Sequence, residues 1–260
     1  METRFKLAAR LTVIVVFLSI IATVGGLVWD ELYRDSELIK AVWFANDLIT
    51  LFLALPILLL AMHYALRGSL KAQLLWVGSL WYLIYNYVFY LYGAVFNSFF
   101  LLYILLFTLP VYTLVIVFNN MDIALIKSSF NVKTPTRAIS IFLFFFAIAL
   151  GAPWVAMVLG FIFTEQIPPF EMTIVFATDL SFLVSVLIFS AILLWKKNPW
   201  GYILAAMIMF KGLLYPLVLM IGGTLAYYRT GTWDTFIPLY FVLWVLCIYF
   251  YRLILTNVNR

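Results

Sequence analysis

Residues 138–163 read AISIFLFFFAIALGAPWVAMVLGFIF, between Arg137 and Glu165, without one charged side chain. An α-helix rises about 1.5 Å per residue, and roughly 20 apolar residues cross a hydrocarbon layer. This run is therefore long enough to cross a bilayer as one helix. The same test finds seven more runs, at about 11–29, 41–65, 71–93, 99–118, 172–194, 200–225 and 236–256. Composition agrees: the 260 residues are 67% hydrophobic and 10% charged, against about 45–50% and about 25% in water-soluble chains. The expected fold is all-α, a polytopic membrane bundle of eight transmembrane helices forming one integral membrane domain over 1–260.

The longest connection, 119–137, has no room for a soluble catalytic or nucleic-acid-binding module. One cysteine, Cys247, excludes an intrachain disulfide and a thiolate metal cluster. One histidine, His63, excludes bis-His haem ligation and HExxH zinc chemistry. No cofactor and no metal site are expected. The start, METRFKLAAR, is basic like a signal peptide. The apolar run after it is longer than a signal h-region and lacks a small-residue cleavage site, so an uncleaved first helix is expected.

Charge sets the expected orientation. Arg4, Lys6, Arg10, Arg67, Lys71, Lys127, Lys133, Arg137, Lys196, Lys197, Arg252 and Arg260 fall on the side of the termini, and only Arg34, Lys40 and Arg229 on the other. Basic residues collect on the cytoplasmic side, which places both termini in the cytoplasm of a cell membrane. The net charge of +5 then belongs to a face that attracts anionic lipid headgroups, not nucleic acid.

The two halves echo each other. Phe44-Ala45-Asn46-Asp47-Leu48 in span two matches Phe176-Ala177-Thr178-Asp179-Leu180 in span six. Tyr85 in span three matches Tyr215 in span seven, and Leu102-Tyr103 in span four matches Leu239-Tyr240 in span eight. The spacing predicts a 4+4 duplication, with halves 1–125 and 130–260 joined by a cytoplasmic loop at 119–137. Four spans return the chain to one side, so the repeats would be parallel.

Charged side chains inside a bilayer are costly and point to function. There are three: Asp47, Asp179 and Lys211. Helix rise places the two aspartates at similar depth below the outer boundary and Lys211 nearer the middle. Lys211 is expected to pair with Asp179, and Asp47 to complete the cluster. Tyr82, Tyr85, Asn86 and Tyr90 are expected on one face of span three, and Tyr215 stands one turn after Lys211. Pro216 is expected to kink span seven, with Pro56, Pro110 and Pro153 offering further kinks. The substrate- or ion-binding candidates are thus Asp47, Asp179, Lys211, Asn86, Tyr85 and Tyr215. The same pattern also suits a structural ion pair that fixes helix register. His63 reads as an interfacial residue.

Two function classes follow. One is a permease for a small solute or ion; the other is a non-transporting module such as a sensor, assembly factor or lipid-binding subunit. An intramembrane enzyme is disfavoured, because no G-x-S-x-G or G-x-G-D sequence is present. Asn46-Asp47, Arg67-Gly68-Ser69-Leu70, Tyr85-Asn86-Tyr87 and Gly93-Ala94-Val95-Phe96-Asn97, with Trp200-Gly201-Tyr202 and Lys211-Gly212, resemble multi-pass membrane proteins of prokaryotes. The resemblance covers about half the chain and implies a multi-pass fold but no activity.

Overall fold

The computed structural model describes residues 2–258, and of residues 2–4 only the backbone. Arg260 and the side chain of Arg4 therefore lie outside the described residues. Among the described residues eight helices are long and apolar enough to cross a membrane, so the chain is a multi-pass integral membrane protein. Span one is Glu2–Val28, span two Glu37–Leu66, span three Leu70–Tyr92 and span four Phe100–Asn120. Span five is Thr136–Phe163, span six Phe170–Trp195, span seven Pro199–Thr230 and span eight Ile237–Thr256.

Local chemistry sets many of the ends. Ser36, Ser69 and Asn198 cap spans two, three and seven by accepting a backbone N–H in the first turn. Span seven ends at Gly231, whose φ of +74° is the left-handed value that a glycine takes without strain. The 121–135 connection holds a short helix, Ile123–Ser129, capped by Asp122. Its far end is pinned to the C-terminus: the Asn131 N–H donates to the Asn257 carbonyl at 2.8 Å.

Spans three and seven form the centre. Span three packs against spans two, four and seven, and span seven against spans two, three, six and eight. Of the 18 most apolar consecutive residues in each, 83% and 67% are buried, against 28% and 22% in spans five and eight. Its central place lets span three carry Ser79 and Asn86, whose side chains donate to the Leu75 carbonyl and to Thr50. A central helix can hold polar groups that find protein partners, and a lipid-facing one cannot. Glycines let these helices approach. Gly78 lies against Phe210 between spans three and seven, and Gly222 against the backbone of Val42 between spans seven and two.

Spans two and six share an irregularity. Each opens into a π turn, over Thr50–Ala54 and over Asp179–Val184. In span two, Pro56 follows directly; it supplies no N–H and crowds the carbonyl of Phe52, which a wider turn relieves. In span six the segment has no proline, but the Ser181 hydroxyl donates back to the Ala177 carbonyl at 2.5 Å, a bond that bends helices. Span seven runs through Pro216 as one continuous 32-residue helix.

Candidate functional site

Two buried carboxylates each bond a tyrosine of span three. Asp47, on span two, is 3% exposed. Its Oδ1 accepts the Tyr90 hydroxyl at 2.9 Å, and its Oδ2 accepts the Tyr33 hydroxyl at 2.6 Å. Tyr33 belongs to the 29–36 connection, which dips into the bundle and buries Leu32 and Tyr33. Gly26 of span one closes the remaining side: a Cβ there would stand 1.9 Å from Asp47 Oδ2. Beside it, the Tyr82 hydroxyl bonds Thr50 at 3.0 Å and Asn46 Oδ1 at 3.3 Å, and Asn86 Nδ2 donates to Thr50 at 3.3 Å. Both Asp47 oxygens are thus satisfied in a close-packed box of Tyr33, Trp43 and Tyr90.

Asp179 stands at the start of the π turn in span six and is 6% exposed. The Tyr85 hydroxyl of span three donates to its Oδ1, and the Trp154 indole N–H of span five donates to its Oδ2 at 2.9 Å. Lys211 of span seven is 5% exposed. Its Nζ lies 3.6 Å from the Tyr85 ring centroid and 4.3 Å from that of Tyr215. Those two rings meet edge to face, 5.2 Å apart at 89°. Each cation–ring contact is worth about 0.5–2 kcal/mol, more when desolvated.

A cavity of about 270 Å³ lies against these groups. Asp179, Lys211, Tyr85, Tyr215 and Tyr240 give it a polar side, and Phe89, Phe146, Leu150, Leu183, Leu219 and Leu243 an apolar one. The Gly212 backbone completes the wall near Lys211, where a Cβ would meet Cys247 Sγ at 2.6 Å. A groove at the end of the bundle holding the 29–36 connection is lined by Ser36, Ile39 and Glu171. It shares two wall residues with the cavity, Trp154 and Val175. A larger cleft of about 820 Å³, between spans five and six, takes its charge only from exposed Glu165.

The arrangement corrects three expectations. Lys211 makes no salt bridge with Asp179: among the described residues no carboxylate oxygen lies within 4.0 Å of its Nζ. The Tyr85 ring stands between them, its face to the ammonium and its hydroxyl to the carboxylate. Asp47 does not join that cluster: it is bonded by Tyr33 and Tyr90, Asp179 by Tyr85 and Trp154, and no hydrogen bond among the described residues links the two sets. Nor do Tyr82, Tyr85, Asn86 and Tyr90 share one face. Tyr82, Asn86 and Tyr90 turn to span two, whereas Tyr85 turns to Asp179. Three residues advance a helix by about 300°, which leaves Tyr85 some 60° from Tyr82 and on the flank away from Asn86 and Tyr90.

Of the six candidates, the structure brings Asp179, Lys211, Tyr85 and Tyr215 together around one cavity and puts Asp47 and Asn86 in the other group. Tyr33 and Trp154 are partners that sequence reasoning missed. His63 is exposed near one end of span two. No family model matches the chain, and searches of the curated proteins and of the solved structures find no match.

Proposed function

We propose that the chain is a permease for a small solute in the cytoplasmic membrane, with Asp179 and Lys211 at its binding site. The observation that carries this reading is the cavity of about 270 Å³ between spans three, five, six, seven and eight, with both charged side chains on its wall. Buried charges in a membrane helix are retained where they serve a ligand or ion path. A route is available in outline. Trp154 and Val175 form both the floor of the groove and the wall of the cavity, so a swing of the Trp154 indole would join the two. That swing would break the bond to Asp179, which couples opening to the state of the carboxylate.

We further propose two parallel four-span repeats with both termini in the cytoplasm. The π turns beside Asp47 and Asp179 support the duplication, as does the contact between Tyr85 and Tyr215. Equivalent residues of two copies meet where a two-fold axis passes. On this reading the first half has kept the carboxylate as a packed structural box, and the second half has kept it as a site. The basic inner end would lie against anionic lipid.

Flux into proteoliposomes tests the site. Vesicles are challenged with a panel of radiolabelled amino acids, sugars and carboxylates, with protein-free vesicles as baseline. Flux of any one solute should collapse in Asp179→Asn and Lys211→Met while both variants still elute as folded protein. Flux that survives both changes overturns the assignment. A retained ligand without flux of any solute would mean a sensor instead. Orientation is tested by labelling. Cys247 is buried, so an impermeant maleimide should label Arg34→Cys on whole cells and Lys133→Cys only after lysis.

A further inference from the structure

We infer that the cavity beside Lys211 takes a small monocarboxylate with an apolar body, such as an aromatic or short-chain acid. The inference rests on the permease reading for the site's role, but its ligand chemistry comes from the cavity alone. Lys211 Nζ is the one cation on the wall, and it has no hydrogen-bond acceptor among the described residues. Its three N–H donors are therefore unmatched in a side chain that is 5% exposed. An ammonium that touches only ring faces on the protein side leaves its N–H groups free to bond whatever enters the cavity. A ligand carboxylate would accept two of those donors.

The neighbouring carboxylate does not compete for that role. Asp179 already receives Tyr85 on one oxygen and Trp154 on the other. A cationic ligand would meet Lys211 without a free acidic partner. A sugar would bring several hydroxyls to walls made of Phe89, Phe146, Leu150, Leu183 and Leu243, where they would stay unpaired. A phosphate monoester would place nearly two negative charges against one ammonium. Size points the same way. A dry cavity of about 150 Å³ holds benzene, so one of about 270 Å³ has room for a ring or short chain plus its head group.

The experiment is equilibrium dialysis of the purified full chain in mild detergent, with radiolabelled benzoate as probe. Unlabelled benzamide and benzylammonium, which share the ring but not the charge, are the competitors. Benzoate should bind saturably and at least about tenfold more tightly than either. Binding should fall by at least that factor in Lys211→Met. It should fall similarly in Leu150→Phe, which fills the cavity and leaves the ammonium in place. Equal displacement by benzamide, or undiminished binding in Lys211→Met, would overturn the proposal. If Lys211→Met fails to fold, the discrimination by the wild-type chain still decides. The two readings fail separately. Lys211-dependent benzoate binding without flux of any panel solute removes the permease and keeps the ligand class. Flux of some other solute without benzoate binding does the reverse.

Discussion

Replacing Lys211 by methionine separates two accounts of this residue by the sign of a stability change. If the ammonium were the structural partner of Asp179, its loss would strand a buried carboxylate at a cost of about 3–5 kcal/mol. The geometry argues otherwise. Asp179 keeps both its donors without Lys211, from Tyr85 and Trp154. The ammonium is held by two ring faces, at 3.6 and 4.3 Å. Those contacts return about 0.5–2 kcal/mol each, against an effective burial cost of several kcal/mol for the ion. Methionine has nearly the same length, and its thioether makes favourable contacts with aromatic rings. Lys211→Met is therefore expected to stabilise the fold by about 1–3 kcal/mol, the difference between the ion's burial cost and what the two ring contacts return. The assay is thermal unfolding in detergent, followed by intrinsic fluorescence. At about 2–4 °C per kcal/mol for a chain of this size, the midpoint should rise by several degrees while ligand binding is lost. A fall in the midpoint would refute the reasoning, and a fall equivalent to about 3 kcal/mol or more would identify Lys211 as half of a structural pair.

Other outcomes follow from the Asp47 box and the connection above it. Gly26→Ala would put a methyl group 1.9 Å from Asp47 Oδ2 and 2.3 Å from the Tyr33 hydroxyl. It should lower the thermal midpoint by the equivalent of about 1–3 kcal/mol, and adding Asp47→Ala should recover part of the loss. Tyr33→Phe removes the donor to Asp47 Oδ2 and should cost about 1–3 kcal/mol, with flux at the Lys211 cavity unchanged in the same preparation. Asp35 lies outside the spans, and burial raises its carboxyl above the ordinary value against the opposing bond from the Val95 N–H. The folded chain therefore holds that proton more tightly than the unfolded chain. This contribution to stability is full below the unfolded carboxyl value and is lost as pH rises through the folded one. Asp35→Asn should flatten that part of a midpoint-against-pH curve; an unchanged slope would assign it to another group.

The number and approximate places of the spans were legible because a bilayer demands a length and an apolarity that few other structures need, although span one starts at Glu2 and not near 11, and span seven runs on to Thr230. Residues 138–163, for instance, correspond to a helix over Thr136–Phe163. The three buried charges were legible for the same reason, since an ion in such a run stands out. Their partners were not. Tyr33 lies in a connection, where a tyrosine reads as part of an interfacial belt. Trp154 sits in an uncharged run and offers no signal beyond its indole N–H. The rotational phase of each helix was also hidden. Spacing along span three relates Tyr82, Asn86 and Tyr90 to one another, but it does not say that span two faces them while span six takes Tyr85. Lys211 and Asp179 have opposite charges on consecutive spans, which made a direct pair the natural expectation. The ring that intervenes comes from span three, far away in the sequence.

Span three serves Asp47 through Tyr90 and Asp179 through Tyr85, and that has a consequence for heredity. A chain divided within 121–135 would leave the later fragment with Asp179 and Lys211 but without the tyrosine that stands between them. Such a fragment would lack both the Tyr85 bond to Asp179 and the Tyr85 ring against Lys211. Each half constrains the substitutions open to the other, so that after any ancestral duplication the two copies would have been free to diverge only together.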